Sequence, residues 1–269
     1  MATADKLRKL LETKNSIKQA LKNKGVSVSD TDSFDSYADK INNISGASVT
    51  MPDYLKEVEY IQRTTGSHDS AIQLPIPFGK TITIRTKFRL LGYSTTSSSY
   101  AKHVFGVYSS ANNANVSALY VSTSTMPIVW SWGEYGVNRR YSQLATTNTT
   151  TDYTVEFSVD RVICNGESKE IMYTHSNAEL PDGWQADRVL SLFGVPYKDI
   201  NHIAYSRIYY MQISDDDVLK YDLIPVLNTK TSTYGLYDKV TGGYFENSAN
   251  ATLYTGGSKV SNDEWGDEW

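Results

Sequence analysis

The sequence predicts a mainly β protein, an antiparallel β-sandwich preceded by a small α-helical module. From Pro52 onward, short runs that alternate apolar and polar side chains are separated by turn residues about every 8–12 positions. Helical periodicity is confined to residues 1–46. Many short strands with almost no helix between them favour a sandwich over a fold of alternating strands and helices, and we expect about twelve strands.

The segment Lys80–Leu90 is the clearest strand. Its apolar residues Ile82, Ile84 and Phe88 alternate with polar ones, so one face is predicted to be buried and the other solvated. Thr86 falls on the buried row. The solvated row holds Arg85, Lys87 and Arg89, which we interpret as ordinary strand patterning and not as a phosphate site.

Two further strands, Tyr205–Ser214 and Val218–Pro225, are predicted on either side of the acidic bend Asp215–Asp217. Three adjacent carboxylates are easily solvated at a turn, where aspartate also bonds its own backbone. Alternation divides the first strand into two faces, with Ile208, Tyr210 and Gln212 on one and Tyr209, Met211 and Ile213 on the other. The dipeptide Asn165-Gly166 predicts a tight hairpin turn between strands 161–164 and 169–173.

The N-terminal module, residues 1–46, is predicted to contain two helices. The first, 5–24, carries a stripe of apolar residues at helical spacing, and the second, 33–44, begins at an N-cap formed by Asp32 or Ser33. We predict that the first helix makes assembly contacts through Leu7, Leu10, Ile17 and Leu21. Residues 47–53 are predicted to form a linker.

The C-terminal part of the sandwich carries a distinctive series of motifs. Residues 203–257 contain, in order, R-I-Y-Y-x-x-I, a polar turn, D-x-I-P, G-L-Y-D-K-V and Y-F-E-N, and residues 54–66 read Y-L-x-x-V-E-Y-I-Q-R-T-T-G. Together they resemble laminin-G/concanavalin-A-like jelly rolls of tailed-bacteriophage virion proteins, over roughly residues 52–257. The resemblance implies a jelly-roll sandwich over 54–257 in a fibre or fibre-associated subunit of the head or tail.

The N-terminal module also resembles phage proteins. It reads E-T-K-N-S-I-K-Q-A-L-x-x-K-G-V and then S-D-T-D-S-F-x-S-Y-A-D-K-I, an order similar to that found ahead of unrelated C-terminal domains in phage tail and fibre proteins. The resemblance implies an attachment or trimer-seeding module, with other virion proteins as partners, a homotrimeric state and a place in the virion after synthesis in the host bacterial cytoplasm. The alternative is a helical hairpin packed on the sandwich.

Composition excludes several functional classes. With 26 basic and 30 acidic residues the net charge is −4, so a nucleic-acid partner is not expected. No apolar run approaches the length of a membrane span, and the charged N-terminus does not resemble a signal peptide. Cys164 is the sole cysteine, which excludes an intrachain disulfide, and we interpret it as a small buried thiol.

The sequence does not predict an enzyme. Glycosidases of similar fold need paired carboxylates, whereas Glu156 and Asp160 have the wrong spacing and are interpreted as solvated residues of an outer face. The four histidines, which share no ligand spacing, are His68, His103, His175 and His202. We therefore predict neither a metal site nor a cofactor.

A cluster of aromatic and basic residues marks the best candidate for a ligand-binding face. Aromatic platforms flanked by hydrogen-bonding groups suit both sugar rings and protein contacts, so a host-surface glycan or protein receptor is a possible partner. The candidate ligand-binding residues are Trp130, Trp132, Arg139, Tyr135 and Tyr141. The alternative is that one tryptophan belongs to the core and the other to its rim.

The last twelve residues, 258–269, form an acidic tail that contains two tryptophans. Because this segment lies beyond the last predicted strand, we expect Trp265 and Trp269 to be buried against another polypeptide. The sequence as a whole is interpreted as a bacteriophage virion structural protein involved in assembly and host-surface attachment. The alternatives are a glycan-binding lectin module and an inactive glycosidase-like domain.

Overall fold

The computed structural model describes residues 3–23, 27–29, 31–42, 49–64, 71–76, 79–93, 102–109, 114–121, 127–133, 139–146, 148–173, 190–193, 204–247 and 254–257. The chain forms two compact units, Met1–Thr50 and Met51–Trp269. The division between them falls inside the predicted linker, 47–53. The predicted fold class, an antiparallel jelly-roll-type sandwich with a small helical N-terminal module, is confirmed.

The N-terminal unit is a pair of helices, α1 (Thr3–Asn23) and α2 (Asp35–Asn42). Its core is small: Leu21 of α1 packs with Val28 and Tyr37, and Ile17 lies partly buried against them. Ser33 caps α2, since its hydroxyl accepts a hydrogen bond from the Ser36 N–H at 3.4 Å. Among the described side chains of α1, those that pack in this core are Ile17 and Leu21, in the C-terminal half of the helix.

The sandwich contains eighteen described strands in two antiparallel sheets. Their bounds are β1 Leu55–Glu57, β2 Ile61–Arg63, β3 Ile72–Leu74, β4 Ile82–Tyr93, β5 Lys102–Ser109, β6 Ala114–Val121, β7 Pro127–Trp132, β8 Arg140–Thr146, β9 Asp152–Phe157, β10 Val162–Cys164, β11 Glu167–Ser168, β12 Met172–Tyr173, β13 Leu190–Leu192, β14 Ala204–Asp215, β15 Val218–Asn228, β16 Thr233–Asp238, β17 Tyr244–Phe245 and β18 Tyr254–Gly256.

Sheet A follows the order β11-β10-β9-β4-β14-β15-β16-β17, with β1 paired to β15, β2 to β14 and β18 to β2. Sheet B follows the order β12-β8-β7-β6-β5-β13-β3. One main core cluster is formed by residues of both sheets, and aromatic rings span it: Phe105 of sheet B stacks on Phe157 of sheet A at 5.7 Å. Most of the buried apolar residues in the described part of the chain belong to this core.

Strand β4 lies as its sequence predicts. The side chains of Ile82, Ile84 and Phe88 are all buried in the core, with exposures of 5%, 0% and 0%. Thr86 is on the same buried row, and the charged residues lie on the outer face of sheet A, where Arg85 is 47% exposed. Alternation with period two therefore holds from Ile82 to Leu90, beyond which the pairing with β14 shifts register before the strand ends at Tyr93.

Strand β14 departs from simple alternation because it contains a β-bulge at Tyr209. The extra residue shifts the register on β4, so Ile208 lies in the core together with Met211 and Ile213, and not on the opposite face as predicted. Thr86 bonds at this point, its hydroxyl donating to the Tyr210 carbonyl at 2.6 Å. Tyr209 is turned away from the core.

The first and last residues of the G-L-Y-D motif, Gly235 and Asp238, each have a structural role. A Cβ at Gly235 would lie 2.5 Å from the carbonyl oxygen of Phe245, so only glycine allows β16 and β17 to approach so closely. Asp238 is fully buried and accepts hydrogen bonds from the backbone N–H groups of Asp222, Val240 and Thr241. The motif thus holds the β15–β16–β17 corner together.

The strands of the two segments that resemble phage jelly rolls lie side by side in sheet A. Strand β1 pairs with β15, and β2 pairs with both β14 and β18. The predicted hairpin turn is present, with Asn165 and Gly166 at φ values of 50° and 79°. Its second strand is the short β11, however, and Met172–Tyr173 pairs with β8 in sheet B. Cys164 is buried as predicted, and burial raises the pKa of its thiol.

Candidate functional site

Strand β7 places its two tryptophans inside the sandwich. Trp130 and Trp132 are both fully buried in the main core, with their ring centroids 5.5 Å apart. Trp130 also lies 5.5 Å from Phe157 of the opposite sheet. The prediction that they form an exposed aromatic platform is therefore wrong. Because they are two positions apart on one strand, both lie on the same face, and that face is the inner one.

The opposite face of the same strands carries a separate cluster. Tyr120 of β6, Val129 of β7 and Tyr141 of β8 pack together outside the main core. Their neighbours in sequence, among them Leu119 and Trp130, point into the core, so strand alternation puts this cluster on the outer face of sheet B. Tyr120 pairs with Val129 in the strand register, and Ser131 pairs with Tyr141. We call Tyr120, Val129, Ser131, Arg139 and Tyr141 the sheet B patch.

Arg139 is held against the sheet B patch by Tyr120. Its Nη2 donates a hydrogen bond to the Tyr120 hydroxyl, and its guanidinium carbon lies 5.7 Å from the centre of the same ring. Burial raises the pKa of Tyr120, which the nearby guanidinium offsets only in part. Tyr120 therefore stays a neutral phenol near pH 7 and holds the cation through a hydrogen bond and its ring face.

The sheet B patch has a buried layer and an accessible layer. Tyr120, Val129 and Ser131 are buried, with exposures of 8%, 4% and 2%. Arg139 and Tyr141 are partly exposed, and the exposed side chain of Gln143 follows on the same face of β8, next to Val129 in register. The layer that a ligand would reach thus contains a guanidinium, a phenol and an amide, supported from below by packed side chains.

The remaining predicted site residues fall elsewhere. Tyr135, Trp265 and Trp269 lie outside the described residues. On α1, Leu7 and Leu10 are exposed, at 62% and 54%, whereas Leu21 is buried in the helical unit's own core, where Ile17 packs against it. The predicted assembly contacts of Ile17 and Leu21 are therefore made within the chain, and this part of the prediction is corrected.

The two acids considered for catalysis, Glu156 and Asp160, lie in different environments. Glu156 is not solvated as predicted: its side chain is 8% exposed and bonds Arg85 and Arg161, whereas Asp160 is exposed at a turn. No group of three or more histidine, cysteine, aspartate or glutamate side chains that could bind a metal occurs among the described residues. Within the same residues, no helix is long and apolar enough to cross a membrane.

Sequence reasoning missed Tyr120, Val129, Ser131 and Gln143. Tyr120 lies on β6, Val129 and Ser131 lie on β7, and Gln143 lies on β8. The sequence contains part of the signal for this patch, because Tyr120 and Tyr141 are aromatic residues in runs that alternate apolar and polar side chains. What the sequence lacks is the strand register that brings β6, β7 and β8 side by side.

Comparison with known proteins gives a weak likeness of fold. No protein-family model and no curated protein matches the sequence. Among solved structures, the CBM40 module of Ruminococcus gnavus IT-sialidase bound to α2,3-sialyllactose is 17% identical with a TM-score of 0.41, covering 65% of this chain and 95% of that chain. The same module bound to α2,6-sialyllactose is 16% identical with a TM-score of 0.40, over 65% and 95%.

Proposed function

We propose that the sandwich is a non-catalytic glycan-binding module whose binding surface is the sheet B patch. The observation that carries the proposal is the fixed position of Arg139, held over Tyr120 and beside the partly exposed Tyr141. A sugar presents an apolar ring face next to several hydroxyl groups. Such a ligand needs an aromatic side chain for the ring and positioned donors and acceptors for the hydroxyls, and both are present here.

The rigidity of the buried layer supports binding. Side chains that are already ordered lose little conformational entropy when a ligand arrives, so more of the interaction energy remains as affinity. Tyr120 and Val129 are packed beneath the accessible residues, and the Tyr120 hydroxyl fixes the Arg139 guanidinium. Tyr141 and Gln143, which are more exposed than this layer, then contact the ligand at the surface.

A glycan-array screen of the full chain, followed by titration of the best ligand, tests the proposal. We expect Tyr141→Ala to weaken binding by about 30-fold, as loss of a hot-spot contact of about 2 kcal/mol does. Tyr173→Ala is the matched control. Tyr173 is an exposed tyrosine of sheet B that lies outside the sheet B patch. Arg140 lies 5.4 Å from its ring centre, much as Arg139 lies near the ring of Tyr120. Equal loss in both variants, or no glycan ligand, would contradict the proposal.

A second function, assembly through the N-terminal helix, is favoured by one observation. The apolar stripe of α1 is buried only at its C-terminal end, whereas Leu7, Leu10 and Leu11 are 54–62% exposed. Three exposed leucines on one short segment suit contact with another polypeptide. Together with the motif resemblance, this supports a fibre or fibre-associated virion subunit, in which the helical unit joins copies of the chain or other virion proteins.

Native mass spectrometry tests this second function. We expect the wild-type chain to form a homotrimer and a Leu7→Ser, Leu10→Ser variant to be monomeric, because the substitutions remove the apolar contact area. A Lys6→Ser, Lys9→Ser variant is the control, since it alters the same turns without touching the leucines. A monomeric wild type, or a double-leucine variant of unchanged mass, would contradict the assembly role.

A further inference from the structure

A second polar site lies on the other sheet, at the end where β9, β4 and β14 meet. Strand β4 begins there, while β9 and β14 end there, since Ile84 pairs with Phe157 and Ile82 with Asp215. The turns at these ends are tied together: the Asp216 N–H donates to the Thr81 carbonyl, and the Thr81 hydroxyl donates to Asp215. They enclose a depression of about 750 Å³, which we call the sheet A cleft.

Two arginines in the sheet A cleft share one buried carboxylate. Glu156 accepts a hydrogen bond from the Nε of Arg85 at 2.8 Å, and the Nη1 of Arg161 lies 3.4 Å from its other oxygen. The three partners differ in solvent exposure: the Glu156 side chain is 8% exposed, whereas those of Arg85 and Arg161 are 47% and 62% exposed. The acid is therefore enclosed, and both cations face the solvent.

This arrangement differs from an ordinary ion pair on a strand surface. One carboxylate compensates only one of two guanidinium groups, so the trio carries a net charge of +1. Arg85 uses its Nε for Glu156, and within the described part of the chain its terminal nitrogens have no other hydrogen bond. The guanidinium fork is suited to a planar oxyanion, which can accept two parallel N–H bonds.

The remainder of the lining suits hydroxyl groups. Thr83 presents a side-chain hydroxyl to the sheet A cleft, and Lys80 adds an ammonium group. Ser158 and Asp160 also line it, and the Ser158 hydroxyl donates a hydrogen bond to the Asp160 carboxylate at 2.8 Å. Asp216 and Asp217 line the cleft as well, both held in the left-handed region at φ values of 48° and 61°. Their carboxylates can accept hydrogen bonds from a ligand's hydroxyls but would repel a second negative charge.

We infer that the sheet A cleft binds an oxyanion, a carboxylate or a phosphate, borne on a small hydroxyl-rich molecule. Arg85 and Arg161 hold the anionic group, and Glu156 keeps the two guanidinium groups together and in place. The site is independent of the sheet B patch, because it lies on the other sheet and shares no residue with it. Binding at either site is therefore measurable without the other.

Titration of the isotope-labelled full chain, followed by backbone amide NMR shifts at low ionic strength, tests the inference. The probes are glucuronate, which carries a carboxylate beside hydroxyls, inorganic phosphate, and glucose as the uncharged analogue. We expect saturable shifts at residues 80–85, 156–161 and 214–217 with the anions and none there with glucose. Whichever anion binds more tightly identifies the oxyanion as a carboxylate or a phosphate.

Variants distinguish a site from a general attraction to positive charge. Arg161→Ala is expected to lower the affinity for the anion by about tenfold or more, because a charged hydrogen-bond donor is lost. Arg161→Lys is expected to restore part of that affinity. Lys239→Ala is the matched control, because Lys239 is 52% exposed and pairs with Asp222 on the same sheet outside the cleft. Shifts confined to the lysine-rich helix α1, no saturable shift with either anion, or equal binding by the Arg161→Ala chain would overturn the inference.

Discussion

The outer faces of the two sheets are built on different principles. On sheet A, charged residues dominate, and their partners lie on neighbouring strands: Arg85 with Glu156, Arg89 with Asp152 and Lys239 with Asp222. On sheet B, the described outer face around β6–β8 is aromatic and apolar, and Tyr120 and Val129 are almost completely buried. Ionic hydrogen bonds between strands hold most of these cations on sheet A, although Arg207 also lies 3.6 Å from the ring centre of Tyr60. On sheet B, Arg139 is held against the ring and hydroxyl of Tyr120.

This difference determines which ligand each face suits. Two arginines that share one buried acid still present N–H donors to the solvent, which suits an anionic group. A packed aromatic layer with a few polar groups above it suits a ligand that has apolar surface as well as hydroxyls. The same sandwich thus offers two chemically distinct surfaces, and substitutions on one should leave the other unchanged.

The largest expected effect tests which side of β7 is the core. Trp130→Ala should lower the free energy of unfolding by about 3–5 kcal/mol, because a fully buried ring is lost and a cavity remains. Tyr141→Ala, on the outer face, should cost about 1 kcal/mol. Urea denaturation of the full chain measures both. If the two variants were equally stable, the distinction between the inner and outer faces of β7 would not hold.

The next effect concerns the buried acid of sheet A. Glu156→Ala leaves Arg85 and Arg161 adjacent without their shared carboxylate, and we expect a loss of about 1–3 kcal/mol in the free energy of unfolding. Asp160→Ala, an exposed acid in the turn that follows β9, is the control and should change stability by less than about 0.5 kcal/mol. A Glu156 variant as stable as its control would mean that the acid does not hold the arginines.

A smaller effect should depend on pH. Burial disfavours the charged form of Asp152, but hydrogen bonds from Arg89 and Tyr209 outweigh it, so its pKa lies below the usual 3.8. Because the folded-state pKa is lower than the unfolded one, the stabilisation is present above about pH 4 and is lost as the pH falls through the folded-state pKa. At pH 7, the free energy of unfolding of the wild type should thus exceed that of Asp152→Asn by up to about 1 kcal/mol.

Denaturation curves of both chains between pH 7 and pH 3 measure this difference. It should shrink steadily below pH 4, as the Asp152 carboxylate becomes protonated in the folded chain. A difference that stayed constant across the range would assign the effect of Asp152→Asn to packing and not to ionisation.

How much of this could be predicted from the sequence differs between the two faces. Strand β4 was predicted residue by residue, because Ile84 and Phe88 are plainly apolar and Arg85 plainly charged. On β7, a spacing of two puts Trp130 and Trp132 on one face but does not say whether that face is the inner or the outer one. The residues that alternate with them, Val129 and Ser131, are themselves compatible with burial. Period-two patterning identifies faces only where the two rows differ strongly in polarity.

The partners across strands were not predictable in either case. Glu156 lies 71 positions from Arg85 and Tyr120 lies 19 from Arg139, so their contacts depend on the strand order. The bulge at Tyr209 is a further limit, since one extra residue inverted the predicted faces of half a strand. Nothing in that run distinguishes a bulged strand from a regular one.

The smallest expected effect concerns Lys239. Its Nζ lies 2.9 Å from Asp222, yet the lysine is 52% exposed, and an exposed pair typically contributes less than about 1 kcal/mol. Lys239→Ala should therefore change the free energy of unfolding by less than about 0.5 kcal/mol. After the substitution, the Asp222 carboxylate still accepts a hydrogen bond from Gln212 at 3.2 Å, so no buried charge is left without a partner.

This near-neutral result is what makes Lys239 informative. Glu156 and Asp222 are both acids of sheet A with little exposure, at 8% and 16%, but Glu156 is shared by two arginines, whereas Asp222 has one lysine and an amide. If Lys239→Ala cost more than about 1 kcal/mol, outside the range of ordinary surface pairs, the whole face would act as a stabilising network. The arginines of the sheet A cleft would then need no ligand to explain them. A change below that value, measured by urea denaturation, leaves the cleft distinct from the rest of its own sheet.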